Sequence, residues 1–445
     1  MPVDLYQIGA SGTRAYQAAM GAIADNIANT NTPGYSRRTL EVQESTASSA
    51  TGIFEKGGAS FAGVDIGSVS RANDPYLDAA TRRTGNTLGS AAQRSQWMTD
   101  IQTALDDGPL GVGQRMGNMF ASIEKLAANP TDQTSQTDVL FSMDQVNTAF
   151  KTTLGDLQSV QQGISSTAQD EVASLNTAIN ALASANDGLR RAVDGSPAQA
   201  QQLDARDQAL LDITKRIDAN VTFDGKGIAN VTFQGSDVVN NITPSQFAVT
   251  TNADGTLSFT LNSTAIAAGT GGTIGGLDQS ANTAKDQVDQ LNALASRYVT
   301  DINNWHEGGF TSAGTAGQPV LSIGSDASTL NVLISDPTQI AEASADGTQN
   351  GNLVAAEALR GNGSMEDQWT QMISNQGNVS QAAVAENTAA ANRDSQAQQA
   401  RGDVSGVNLD REAADLLRLQ QAYQASARVI QVARELNDTI MGIFG

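Results

Sequence analysis

The sequence predicts a mainly α protein, with a long helical bundle formed by the N- and C-terminal parts of the chain and a small β domain inserted in the middle. Apolar residues recur at steps of three and four near both termini and through residues 129–188, which is the period of one helix face. Past Ile213 the period drops to two, the signature of half-buried strands. Aromatic residues make up only 4% of the chain, which suits helices packed through small and medium side chains. At 445 residues the chain exceeds the roughly 250–300 at which single cores stop growing, so more than one domain is expected.

Residues 1–35 form the first element. Leu5, Ile8, Tyr16, Met20, Ile23 and Ile27 share a helical face, while Ser11, Ala15, Ala18, Ala19 and Ala22 leave another side small enough for a second helix to approach. Pro33 has no N–H and disfavours helical backbone at Thr32, and Pro33-Gly34 fits the central pair of a type II turn, so the helix stops there. Residues 36–73 read as an extended, partly β linker that alternates over Arg38–Val42 and Val64–Val69, with loop-like SSATG and EKGGAS between.

Residues 74–220 carry a helical bundle, pausing at Asp106 to Pro109 and then running unbroken from Val139 to Leu182. Gly155 and Gly163 each weaken that helix by about 1 kcal/mol relative to Ala, so it relies on packing. Residues 221–276 are the small β domain, in which FAVTTNADGTLSFTL (247–261) predicts a hairpin turning at Asn252 to Gly255. Residues 277–305 return as a helix to the bundle, 306–345 read as a β or loop part of the insertion, and 346–402 are helical but strongly polar. In 403–445, Leu416, Leu419, Tyr423, Ser426, Ile430, Ala433, Asn437 and Ile440 alternate steps of three and four, a coiled-coil-like seam, and Leu436 belongs to a second row beside it.

A net charge of −21 repels phosphate backbones and anionic lipid surfaces, so neither nucleic acid nor membrane is an expected partner. The absence of cysteine removes thiolate metal sites and Cys nucleophiles. His306, the single histidine, reads as a loop or packing residue despite Glu307 beside it. Asp204 and Asp207 flank Arg206 on an apolar helix and read as ion-pair partners, not a catalytic pair. Asn252 to Gly255 lacks the bidentate Glu of a calcium loop, and the glycines at 269–276 do not fit a dinucleotide fingerprint. No catalytic residue, cofactor or metal is therefore expected, and the protein reads as a non-enzyme. The first residues show no basic segment followed by an apolar run, so no cleaved secretory peptide is expected.

Apolar-striped helices at both ends of a chain, with striping on more than one face, suit burial against other copies, and head-to-tail contacts of that kind grow into tubes. The end sequences also carry a resemblance. DNIAN (25–29) with TPGYS (32–36) resembles the N-terminal signature of the axial proteins of the bacterial flagellum, the rod, hook and hook-associated proteins. VSGVNLDREAADLLRLQQAYQASARVI (404–430) is similar to the terminal motif of the hook-associated proteins at the first hook–filament junction. LDARDQALLDI (203–213), the stretch Asn304 to Gly308 and SDPTQIAEAS (335–344) resemble patterns of that same branch. Two features depart from the family: a short middle, where members often carry an additional outer domain, and Arg411, where an acidic residue is common.

The resemblance implies a structural subunit of the flagellum at the junction between hook and filament, assembling through its paired terminal helices; the alternative is a hook or rod structural protein. It implies secretion through the type III export apparatus to an extracellular position, and an export chaperone on the C-terminal helix. It further implies copies of itself, the hook protein and the next hook-associated junction protein as partners. Carried onto this sequence, the family motif residues are Asn26, Asn29, Thr32, Pro33, Gly34 and Tyr35, and Gly406, Val407, Asn408 and Leu409. Asn26 and Asn29 are expected to bond backbone groups freed at the helix end, and Tyr35 to anchor packing.

Overall fold

The computed structural model describes residues 2–45 and 63–444; the loop expected around SSATG and EKGGAS lies outside the described residues. Helix α1 spans Pro2–Ala28. It is followed by a turn in which the Tyr35 N–H donates to Thr32 O at 3.2 Å and Gly34 takes φ +79°, the left-handed backbone that a Pro-Gly turn requires. Strands β1 (Arg38–Glu44) and β2 (Val64–Arg71) pair antiparallel, with Arg38 opposite Arg71.

Helix α2 (Pro75–Ala104) opens on Asp74, whose Oδ1 accepts from the Tyr76 N–H at 2.8 Å, with proline in the first helical position. α3 (Val112–Ala128) and α4 (Gln133–Arg191) follow, α4 being one helix through the whole stretch whose period predicts it. α5 (Pro197–Arg216) starts in the same way as α2, Ser196 Oγ accepting from the Gln199 N–H at 3.1 Å.

The stretch expected as one β domain holds two sheets that share no strand. β3 (Asn220–Phe223), β4 (Ala229–Phe233), β5 (Ser236–Asn240) and β6 (Thr243–Pro244) form one, and Pro244 ends it with no N–H to extend the pairing. β7 (Phe247–Thr251), β8 (Leu257–Leu261) and β9 (Thr264–Ile266) form the other, β7 and β8 joined by the expected turn with Gly255 at φ +84°. The remainder is α6 (Gly272–Glu307), the short pair β10 (Leu321–Ser322) and β11 (Asn331–Val332), α7 (Gly351–Ala355), α8 (Met365–Ser405) and α9 (Leu409–Phe444).

The chain divides into two compact units, one of Met1–Gly85, Leu175–Gln246 and Asn392–Gly445, the other of Asn86–Ser174 and Phe247–Ala391. In the first unit, Leu189, Leu210, Ile213, Val231 and Phe233 are buried, and Asn186 pins α4 to the four-stranded sheet. Its Nδ2 donates to Ala229 O at 2.8 Å while its Oδ1 accepts from the Ala229 N–H at 3.0 Å.

The second unit centres on Met116, Phe150, Tyr298 and Trp369, with the Phe150 and Tyr298 rings stacked at 5.8 Å. Gly163 earns its place there, because a Cβ would lie 2.9 Å from the Trp97 ring, whereas Gly155 faces nothing within 4 Å. His306 is fully buried and makes two bonds of opposite sense: Nδ1 lies 2.6 Å from Gln318 O and Nε2 accepts from the Ala341 N–H at 3.0 Å. The ring is therefore neutral with its proton on Nδ1, and burial lowers its pKa. Asn352 Nδ2 donates to Ala341 O at 2.8 Å, and Trp305 Nε1 donates to Asn352 O at 2.7 Å. The motif stretches 304–308 and 335–344 thus meet in one buried polar cluster of packing residues.

Candidate assembly interface

Helix α1 lies antiparallel on α9, so that Gly9 meets Ser426 and Ile430 while Asn26, near the other end, meets Glu412. The approach is close. A Cβ on Gly9 would sit 2.6 Å from Ile430 Cγ1, and one on Gly12 would sit 2.8 Å from Ser426 Oγ. Small residues on α1 permit this, and Ala15, Ala19 and Ile23 are buried with Ala433 of α9.

Pairing the two helices hides only part of their apolar surface. Ile23 is buried, and Ile8, Tyr16, Met20, Leu416, Leu419 and Ile430 are half-buried. Leu5, Ile27, Tyr423, Leu436 and Ile440 stay exposed, Leu436 at 44% and Ile440 at 40%. Leu417 and Met441, not among the residues singled out from the sequence, are exposed as well, and so is Val432, which belongs to the same second row as Leu436. The open surface therefore continues along α9 beyond the seam that periodicity marks.

The turn after α1 is held by a polar clasp centred on Asn26, which is 1% exposed and uses its whole amide. Its Oδ1 accepts from Tyr35 OH at 2.8 Å and from the Arg38 N–H at 2.9 Å. Its Nδ2 donates to Arg38 O at 2.8 Å and to Glu412 Oε2 at 2.9 Å. Asn26 thus reaches across to the start of β1 and to α9, not to groups freed at its own helix end as expected, because burial of that helix face turns its side chain inward. Asn29 does bond its own helix end, donating to Asp25 O at 2.9 Å. Tyr35 packs under the Arg38 guanidinium, 4.8 Å from the ring centroid, and burial pushes its phenol up to about 12.

Beside the clasp lies a buried ion network that ties the ribbon to α5. Arg38 donates to Asp204 at 2.7 Å, and Arg71 reaches Asp204 and Asp207, each at 2.8 Å. Arg206 pairs with Asp207 and donates to Gly227 O. Asp204, Arg206 and Asp207 are the ion-pairing residues the sequence predicts, and their partners Arg38 and Arg71 lie more than 130 positions away in the chain, where no local pattern points to them. Gly34 packs on the same segment, since a Cβ there would lie 2.8 Å from Gln208 Oε1.

The C-terminal motif closes the other side. The Arg37 N–H donates to Ser405 O at 2.9 Å, and Gly406 leaves no room for a side chain, a Cβ there falling 2.4 Å from Gly402 O. Asn408 caps α9, accepting from the Arg411 N–H at 3.1 Å. Val407 is half-buried, whereas Thr32, Pro33 and Leu409 are exposed. Most motif residues therefore build the joint, and the open surface lies elsewhere, on α1 and α9.

Among the described residues no group of three or more His, Asp or Glu is placed to hold a metal ion, and no helix is long and apolar enough to cross a membrane. Comparison with known families matches three segments. The flagellar hook-associated protein FlgK helical domain covers residues 98–321, half of the chain. The flagellar basal body rod FlgEFG protein C-terminal model covers 399–443, and the flagella basal body rod protein model covers 7–35.

Flagellar hook-associated protein 1 of Salmonella typhimurium is 24% identical over 549 aligned positions, covering 97% of this chain and 98% of the relative. The same-named protein of Escherichia coli is 23% identical over 97% of this chain and 98% of its own, and that of Bacillus subtilis 22% over 97% and 96%. The Salmonella alignment is longer than the 445 residues of this chain, so that relative carries internal segments absent here. The solved flagellar hook junction protein FlgK of Burkholderia pseudomallei superposes with a TM-score of 0.49 at 18% identity, over 56% of this chain and 47% of that one.

Proposed function

The chain belongs to the flagellar hook-associated protein FlgK family, structural subunits of the junction between hook and filament and not enzymes, and on that premise we propose which surfaces it uses to assemble. The α1/α9 pair is the assembly element, and its open apolar rows pack against adjacent copies. The observation that carries this reading is the exposure of Tyr423, Leu436 and Ile440 after α1 has taken its place on α9. Full burial of a Leu or Ile side chain is worth about 1.5–3 kcal/mol, so covering the part still open on Leu436 (44% exposed) and Ile440 (40%) contributes about 0.6–1.3 kcal/mol each. The Asn26 clasp holds the turn, so that the helix pair is presented at a fixed angle to the rest of its own unit.

As a component of the flagellum, the subunit assembles with other flagellar parts. We assign the finer partners as the hook protein on one side and the next junction protein on the other, with copies of itself between. An export chaperone covering α9 before secretion suits a helix whose apolar row has no partner in the free chain. Passage through the flagellar type III apparatus then takes the subunit to its extracellular position.

The test uses cells with finished hooks that lack their junction protein. Adding the wild-type subunit restores filament growth. The double variant Leu436→Asp/Ile440→Asp alters only exposed positions, so the free subunit keeps its melting temperature while incorporation at the hook tip is lost. Normal incorporation of that variant would refute the interface.

A further inference from the structure

In the first unit a cavity of about 420 Å³ is walled by β2, the start of α2, α5 and the end of β3. Three guanidinium groups line it, Arg71, Arg82 and Arg206, together with the Phe223 ring, which is 45% exposed. Two of the three are satisfied, Arg71 by Asp204 and Asp207, and Arg206 by Asp207 and Gly227 O. The remaining wall carboxylate, Asp78, is taken by Arg401 at 2.7 Å.

Arg82 is left over. Among the described residues it makes no ion pair and no hydrogen bond, and its guanidinium carbon stands 6.0 Å from the centre of the Phe223 ring, on which Arg206 stacks at 4.6 Å. Burial lowers the Arg82 pKa against the pull of Asp78 and Asp207, yet an arginine stays charged under these conditions. The charged residues that line the cavity are Arg71, Arg82 and Arg206 against Asp78 and Asp207, a positive excess at its wall in a chain of net charge −21.

We propose that this cavity is an oxyanion site, with Arg82 as its free bidentate donor, and that in the polymer it takes an Asp or Glu side chain of an adjacent copy. The second half of the proposal rests on the junction reading above; the first does not. Planar guanidinium binds a carboxylate through two parallel N–H donors, and partial burial shields such a pair from salt. Copies that each carry an excess of 21 negative charges repel one another over most of their surface, so a cationic cavity gives them an attractive, oriented contact.

Malonate serves as the probe on the free subunit, titrated against sodium chloride at constant ionic strength and followed through the Arg82 side-chain Nε–H resonance and the melting temperature. Wild type shows a saturable shift and a rise in melting temperature. Arg82→Gln shows neither, and Arg82→Lys binds at least tenfold more weakly. Absence of a saturable response, or an equal one in Arg82→Gln, overturns the site.

For the source of the carboxylate, a photo-crosslinking residue replaces the exposed Phe223 in assembled junctions. A crosslinked peptide from a second copy that bears Asp or Glu supports the proposal. Crosslinks only within one chain, only to a different protein, or none at all overturn the assignment to an adjacent copy. If the subunit failed to incorporate at all, the junction reading would fall while the malonate titration still decided the site.

Discussion

Replacing Asn26 by Asp tests the clasp with almost no change of shape. The variant keeps the acceptor that receives Tyr35 OH and the Arg38 N–H, but turns the Nδ2 donor into a second acceptor. That oxygen then faces Arg38 O at 2.8 Å and Glu412 Oε2 at 2.9 Å, in a site 1% exposed. Two buried acceptors lose their donor at about 1–3 kcal/mol each, the charged one toward the upper end, so the expected penalty is about 3–5 kcal/mol. At about 1.4 kcal/mol per decade this is a loss of at least a hundredfold in protection against local opening.

Two carboxylates so close share a proton as pH falls, and the shared proton restores a donor, so the deficit is larger at pH 8 than at pH 5. Hydrogen exchange of the Arg38 amide, read from peptides covering 35–44, measures the opening directly, because that N–H donates to Asn26. Protection within about threefold of wild type at neutral pH would refute the argument, since it would mean that the turn holds without the clasp.

The two helix glycines of α4 predict opposite outcomes. Gly155→Ala, with nothing within 4 Å, raises stability by about 1 kcal/mol in chemical denaturation, whereas Gly163→Ala drives a Cβ into the Trp97 ring and lowers it by about 1–3 kcal/mol. His306 gives the second unit a pH dependence of defined sign. Its folded pKa lies below the ordinary 6.5, so the unfolded chain takes up a proton first as pH falls. Stability present above 6.5 is then lost below it, by up to about 1.4 kcal/mol per pH unit until the folded pKa is reached. Burial raises the pKa of Glu342, which acts in the opposite sense from 4.5 upward, so the measurement is the difference in the pH profile of unfolding between wild type and His306→Gln. Finally, Arg411→Glu puts an acid in the third position of α9 after its Asn408 cap, where it complements the helix dipole. Slower exchange at the start of α9, by about 0.5–1 kcal/mol, is the expected result.

The sequence makes the helices legible because their causes are local. Asp74-Pro75 and Ser196-Pro197 cap and start α2 and α5, the three/four period of α4 follows one buried face, and Pro33-Gly34 demands a turn wherever the chain goes next. The ion network was half legible for the opposite reason. Asp204 and Asp207 could be read as pairing residues on an apolar helix, but Arg38 and Arg71 come together only through strand pairing. Glu412 reads as an ordinary first-turn acid of α9, and only the antiparallel docking of α1 places it against Asn26. The split of the strands into two sheets depends on pairing partners too, which alternation alone does not choose.

The contrast between clasp and stripe bears on how such a subunit serves a junction. Asn26 spends every donor and acceptor inside its own chain, and Asp204 and Asp207 are likewise paired with Arg38, Arg71 and Arg206 of the same chain, so the clasp and these two carboxylates are committed to the internal joint. The apolar rows of α9 have the reverse character: they need no partner of exact geometry, and burial drives them together whatever the fine angle between copies. Directional bonds therefore set the internal joint, and non-directional burial joins the helix pairs of adjacent copies, leaving the oriented contact proposed at Arg82 as a separate one. A substitution such as Asn26→Asp should accordingly disturb the presentation of the helix pair in the free subunit, whereas Leu436→Asp/Ile440→Asp should leave the free subunit intact and fail only at the hook tip. Loss of incorporation with Asn26→Asp, at unchanged protection of the Arg38 amide, would break this separation of roles.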